Sequence, residues 1–341
     1  MKRYGYAAAL AFTILALVGR GTATLQSPGS FAAHIAELSE PGGYFDTDNL
    51  ISNERSYLRV LPELDRRRVR GGAYIGVGPD QNFSYIAAIR PSIAFIIDVR
   101  RDNLLLHLLF KALFVHARNR IEYLALLFGR ATPGGGDGWR EAPIEQLARY
   151  IDQQGDHQSL DSLRSDVDRT VKSFGLPLSS ADMATVDRFH RRFIEAGLDL
   201  RFQSVGRSPQ MYYPTYRDLL LETDGEGRRR HYLASEDAFQ FLKGLEARDR
   251  VVPLVGNIAG TLAMAAVARD ISARHEQLSA FYASNVEFYL EREGTYERFA
   301  ANLARIPRMA NGVIIRSIFG RRSGSLSELQ PIAELVPVGR D

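Results

Sequence analysis

Two glycines and an acid carry the clearest chemical spacing in this chain. Gly76-Val77-Gly78 ends the apolar run "AYIGVG", and Asp98 closes the next one, "IAFIIDV". Glycine ends many strands because it tolerates positive φ and close backbone approach, so the pair alone is equally an ordinary turn. A nucleotide-binding loop requires more. It needs a helix whose N-terminus faces the ligand, then a second strand ending about twenty residues on in an acid that accepts from ribose hydroxyls. Both are present, with a helical pattern opening near Gln81 and Asp98 closing the second strand. Asp98 therefore has two readings, a ribose acceptor or a cap of the helix that follows.

Elsewhere the chemistry is sparser. In "NLISNERS", Asn53 and Glu54 are polar enough to reach a pocket and orient a substrate, or else they cap a helix and face solvent. Tyr212, Tyr213 and Tyr216 flank Pro214. They suit either a loop packed on the core or a lid that supplies apolar area and hydroxyl donors. His107 and His116 sit in an apolar helical run and read as packing or surface groups rather than ligands. "DTDN" at Asp46–Asn49 clusters oxygen atoms without the rest of a calcium loop and reads as a turn. The motifs of zinc proteases, Walker loops and esterase elbows do not occur. Cysteine is absent, which removes disulfides, thiolate metal sites and cysteine nucleophiles. No metal is expected.

The elements that must hold these residues alternate. Strands are expected near 73–77, 93–98, 251–256, 279–284 and 312–318, with helical patterns between them. "IAFIIDV" is apolar throughout, which suits a strand buried on both faces. Strand–helix alternation in this order predicts an α/β fold, a doubly wound and mostly parallel sheet with right-handed crossovers. The glycine-rich "ATPGGGDGWREAP" interrupts it and opens a charged, mainly helical stretch. The expected organisation is an N-terminal helical segment at 24–70, a first half-domain at 71–129, a helical insertion with a possible lid at 130–247, a second half-domain at 248–320 and a polar tail at 321–341.

The stretch "YIGVGPDQNFSYIAAIRPSIAFIIDVRRDNLLLHL" resembles the first half of a class I S-adenosylmethionine-dependent methyltransferase, a Rossmann-like fold. With "DNLISNE" and "SNVEFYL", the chain is similar, more narrowly, to an uncharacterised bacterial family of methyltransferase-like fold. The resemblance implies a cofactor, S-adenosylmethionine, with Gly76 and Gly78 in the loop beneath it and Asp98 on its ribose. It places Asn257 near the adenine, and brings Ser284, Asn285 and Glu287 beside the transferred methyl, where Asn285 or Glu287 positions the acceptor. Tyr74 stands where that family has an acid, and Asp80 replaces its third loop glycine. A carboxylate in the loop would repel a pyrophosphate, which favours a cofactor without phosphate over a dinucleotide.

The N-terminus, "MKRYGYAAALAFTILALVGRGTATLQ", has a basic start, an apolar run from Ala7 to Val18 and small residues at Gly21–Ala23. That is the plan of a secretory signal peptide over residues 1–23. The run is short of the roughly 20 apolar residues of a membrane span. Export to the periplasm or medium is expected, with an uncleaved membrane anchor or a cytoplasmic protein as alternatives. Lys plus Arg exceed Asp plus Glu by only 43 to 40, a net charge of +3. The basic runs Arg66–Arg70 and Arg228–His231 carry no interleaved aromatics for base stacking. No nucleic-acid partner is expected, and the oligomeric state is not encoded in these patterns. Two functions follow: methyl transfer from S-adenosylmethionine to a small molecule, or an exported, non-catalytic protein that binds a small ligand in the same fold.

Overall fold

The computed structural model describes residues 28–47, 49–134, 137–155, 159–204, 213–320 and 324–335. The expected signal peptide, residues 1–23, lies outside them. The described residues open with α1 (Pro28–Leu38) and α2 (Leu61–Arg66), then alternate β1 (Ala73–Val77), α3 (Gln81–Ile89), β2 (Ile93–Asp98) and α4 (Arg101–His116). Helices α5 (Arg120–Leu127), α6 (Ile144–Gln153), α7 (Leu160–Ser173), α8 (Ser180–Ala196), α9 (Tyr216–Leu220) and α10 (Glu236–Ala247) follow. Alternation resumes with β3 (Val251–Val255), α11 (Ala263–Ala273), β4 (Leu278–Ser284), α12 (Val286–Arg292), α13 (Tyr296–Ala304), β5 (Arg308–Gly320), β6 (Gly324–Pro331) and α14 (Ile332–Leu335).

The fold is α/β, and among the described residues the sheet has six strands in the order β3-β2-β1-β4-β5-β6. All neighbours are parallel except β5 and β6, which pair antiparallel from Val313 opposite Pro331 to Gly320 opposite Gly324. Strand order reverses between β1 and β4, the position where open α/β sheets form a crevice beyond the carboxyl ends of their strands. Every residue of β1 and β3 is buried, and so is all of β2 except Asp98 at its end. Their apolar runs follow from helices on both faces.

Helix α4 explains itself in the same way. Residues Asn103 to Phe114 are all buried, because one side lies on β2 and β3 and the other beneath α7 and α8. A helix apolar all round needs partners all round. The inserted helices supply them, with Phe193 of α8 meeting Phe110 and Phe128 edge-on. Arg120, 1% exposed, ties the insertion down further by donating to the carbonyls of Leu233, Ala234, Trp139, Arg140 and Ala142.

Two expectations change. The polar tail contains β6, and the last parallel strand runs well beyond 312–318 at both ends. In β6 the serines point inward (Ser325 and Ser327 are buried) while Leu326 is 44% exposed. An inverted alternation of this kind does not read as a core strand. The basic runs, for their part, interlock with acids: Arg66 with Glu63, Arg70 and Arg230 with Asp65, and Arg228 with Asp224. Among the described residues, no helix is long and apolar enough to cross a membrane.

Candidate functional site

A cavity of about 350 Å³ opens at the carboxyl ends of β1 to β4, within the size range of small-ligand sites. Gly78, Asp98, Asn257 and Asn285 all line it, as do Asn53 and Tyr213. Gly76, Glu54 and Glu287 do not. Residues of two regions line its mouth, Gly43–Thr47 and Asn49 from the N-terminal region and Phe202, Ser204 and Tyr213 from the insertion. They meet where Thr47 bridges Ser204. Residues 48 and 205–212, Tyr212 among them, lie outside the described set.

The glycine loop is held from within. Asn82 of α3 donates through Nδ2 to the carbonyls of Val77 (2.9 Å), Gly78 (3.3 Å) and Pro79 (2.8 Å), and its Oδ1 accepts from Tyr74 (2.8 Å). A Cβ on Gly76 would lie 1.9 Å from Asn82 Oδ1 and 2.8 Å from the Tyr74 ring. Gly76 is therefore glycine because the Tyr74–Asn82 bond crosses over it, not because a ligand approaches it. Gly78 is different. Its φ of +81° favours glycine, and a Cβ there would face Gln81 and Asn49, both at the cavity wall.

His107 secures the same loop from below, with Nε2 2.9 Å from the Gly78 carbonyl. Burial pushes its pKa down to about 4, so the ring is neutral near pH 7. Because a carbonyl only accepts, Nε2 carries the proton. The loop Asp80 turns away from the cavity into the insertion, where Tyr216 and Tyr232 each donate to its Oδ2 at 3.1 Å. Burial raises its pKa to about 6. Its expected repulsion of a phosphate does not apply. Tyr216 is 1% exposed and belongs to this core cluster rather than to a lid.

Asp98 stands at the cavity but is already engaged. Its Oδ1 accepts from the Arg100 backbone N–H (2.8 Å) and Nε (3.1 Å), and Oδ2 accepts from Nη2 (2.9 Å). A carboxylate has about four acceptor sites, and three are filled. Arg100 also donates Nη1 to the Thr47 carbonyl at 3.0 Å, so the pair latches the Gly43–Thr47 segment over the cavity. The N-cap of α4 is Arg100 itself, hence Asp98 is not a helix cap in the expected sense. Asn257 is held through its backbone N–H by Glu40 (2.7 Å), and its Oδ1 accepts from Ala259 (2.8 Å).

At the end of β4, Ser284 has φ +54°, a left-handed conformation that costs a non-glycine residue roughly 1–2 kcal/mol. Its hydroxyl donates to Glu54, which is fully buried and also accepts from Tyr282 (2.6 Å) and Ser317. Burial pushes the Glu54 pKa up, and these hydroxyl bonds pull it back. Neither expected role of Glu54, solvent-facing residue or direct substrate contact, matches this position. Asn53 does reach the cavity. Asn285 stands at the N-cap position of α12 without a side-chain capping bond, and lines the wall. Glu287, expected beside the reacting group, instead pairs with Arg316 at 2.8 Å. Burial raises its pKa against that pairing.

Sequence reasoning missed several residues here. Phe45 and Tyr289 meet edge-on at 4.9 Å, Phe202 and Tyr213 at 4.8 Å, and all four line the cavity. Asp46, Thr47 and Asn49, read as a turn, do too. Their only signal was polarity in a loop, which many turns share. Among the described residues, no cluster of three or more His, Asp or Glu could hold a metal.

No curated protein matches the chain. A family model described as a domain of unknown function, DUF7790, matches residues 50–132 and 200–334. The matched segments carry all six strands and most of the cavity wall, while α6, α7 and α8 fall between them. The chain thus belongs to the DUF7790 family, whose matched segments supply the sheet and the glycine loop at the cavity.

Proposed function

We propose that the cavity binds S-adenosylmethionine and that the protein transfers its methyl group to a small molecule. The observation carrying this reading is the convergence of Gly78, Asp98, Asn257 and Asn285 on one cavity at the carboxyl ends of four parallel strands. The finer Rossmann-like assignment, with a methyltransferase-type sheet, belongs to the same proposal and is supported by the strand order.

Charge also supports it. The acidic and basic side chains among the described lining residues are Asp46, Asp98 and Glu293 against Arg100. Such a wall favours a cationic or zwitterionic ligand over a polyphosphate. Bound there, the cofactor would supply an electrophilic methyl on a sulfonium. Asp98 has one acceptor site left for a ribose hydroxyl, Asn257 Nδ2 can serve the adenine edge, and the paired aromatics exclude water. The chain's contribution to rate would be mainly positioning.

A second reading, ligand capture by an exported protein without catalysis, is favoured by one observation. Glu287, the expected acceptor-positioning acid, is paired with Arg316 outside the cavity. Calorimetry with S-adenosylmethionine tests the first reading, and wild-type protein that releases no heat with it removes methyl transfer. Fractionation of cells expressing the full chain separates the two further. Processed protein outside the inner membrane favours capture, and full-length cytosolic protein favours transfer.

A further inference from the structure

Glu54 has no cationic partner among the described residues, yet it is fully buried. It collects hydroxyl protons instead, from Tyr282, Ser284 and Ser317. Three hydroxyls converging on two oxygens suit the carboxylate form, which only accepts, and in that form the direction of every hydrogen bond around Glu54 is fixed. Tyr282 gives its proton to Glu54 and can only accept from Gln81 Nε2, 3.1 Å away. That in turn orients the Gln81 amide. Its Oε1 is buried with no partner among the described residues, although Gln81 lines the cavity. An unpartnered buried acceptor is uncommon and costs stability unless a ligand serves it.

Ser284 obeys the same logic. Its proton goes to Glu54 in preference to Asn285 Oδ1, 3.3 Å away, leaving its lone pairs at the cavity wall. Its left-handed backbone holds the hydroxyl in that place. The wall between β1 and β4 thus offers an acceptor, Ser284 Oγ, with the Glu54 carboxylate behind it and the buried Gln81 Oε1 beside them.

We propose that this wall binds the protic group of the acceptor substrate, an alcohol, phenol or amine, and that Ser284 relays its proton to Glu54. The inference rests on the methyl-transfer reading for its chemistry, though not for the binding preference. In the step, the substrate O–H or N–H proton passes to Ser284 Oγ as the Ser284 proton passes to Glu54 Oε1. The pair left on the heteroatom forms the bond to the methyl carbon, and the C–S pair stays on sulfur. Ser284 touches the substrate, and Glu54 acts through it.

Matched fragments test the wall without turnover. Ligand-observed NMR would compare phenol with anisole, and aniline with N,N-dimethylaniline, on the full chain. The protic member of each pair is expected to bind wild type about tenfold tighter, the effect of one charge-assisted hydrogen bond. Ser284→Gly, which suits the positive φ and so keeps the fold, should bring each pair within about twofold. Glu54→Gln, which keeps the shape and removes the charge, should leave about threefold. Equal binding within the pairs, no binding of either member to wild type, or a preference that survives Ser284→Gly overturns the proposal. Calorimetry with S-adenosylmethionine on the same samples keeps the two ideas apart. A protic preference without cofactor binding removes methyl transfer and the relay that depends on it while keeping the binding wall, and cofactor binding without the preference removes this inference alone.

Discussion

Asp98 joins the most consequences of any single side chain here, because it is bound to Arg100 and through it to the Thr47 carbonyl. The two side chains are 10% and 8% exposed, and removing one partner of a buried pair typically costs about 3–5 kcal/mol. Asp98→Ala is therefore expected to lower stability by about 3 kcal/mol, well beyond the effect of a lost helix cap. The double change with Arg100→Ala should cost less than the sum of the singles, and urea unfolding of the four proteins measures this. Asp80 gives the opposite sign. Its pKa rises to about 6 on folding, from about 3.9 unfolded. Between those values the folded state keeps a proton that the unfolded chain has lost, so its contribution is present below pH 4 and falls as pH rises to 6. At about 1.4 kcal/mol per unit, the loss is of the order of 3 kcal/mol. Asp80→Asn, which still accepts from Tyr216 and Tyr232, should raise the melting temperature at pH 8 and leave it unchanged at pH 4.

The glycine loop separates two roles that a motif merges. Gly76→Ala drives a methyl into the Tyr74–Asn82 bond and is expected to cost at least 2 kcal/mol, in the range of overpacked cores. Gly78→Ala meets nothing closer than 3.4 Å, so the backbone penalty, about 1 kcal/mol, dominates its stability effect. Ligand affinity should suffer more from Gly78→Ala, since its Cβ faces the cavity. Melting curves paired with calorimetry distinguish the two profiles. The first two strands were legible to the residue because β-branched runs bounded by Gly, Pro and Asp leave little freedom in placing them. Strand β6 was not, since its buried face is serine and its exposed face includes leucine. The site was half legible. Backbone-defined positions such as Gly78 and the strand-end residues Asp98, Asn257 and Asn285 do line the cavity. Arg100, Gln81 and the aromatic rim depend on side-chain directions that no local pattern carries.

Across the whole molecule, the insertion is part of the body rather than an appendage. Its helices α7 and α8 cover α4, whose residues Asn103–Phe114 are buried on every side. Replacing residues 133–199 with a short linker is thus expected to yield insoluble protein, because it uncovers a run of leucines and phenylalanines on α4. A soluble, cooperatively melting product would show that the insertion packs too weakly to matter. The mouth of the cavity likewise joins two regions distant in sequence, residues 43–47 and 202–204, which meet through Thr47 and Ser204. The loop bears on inheritance as well. Tyr74, Gly76 and Asn82 lie together inside the first family segment and occupy one another's space. Among relatives, a side chain at position 76 is tolerable only where 74 or 82 has already yielded. The three positions should therefore co-vary as a unit across the lineage, whereas Gly78 should drift only where the ligand itself has changed.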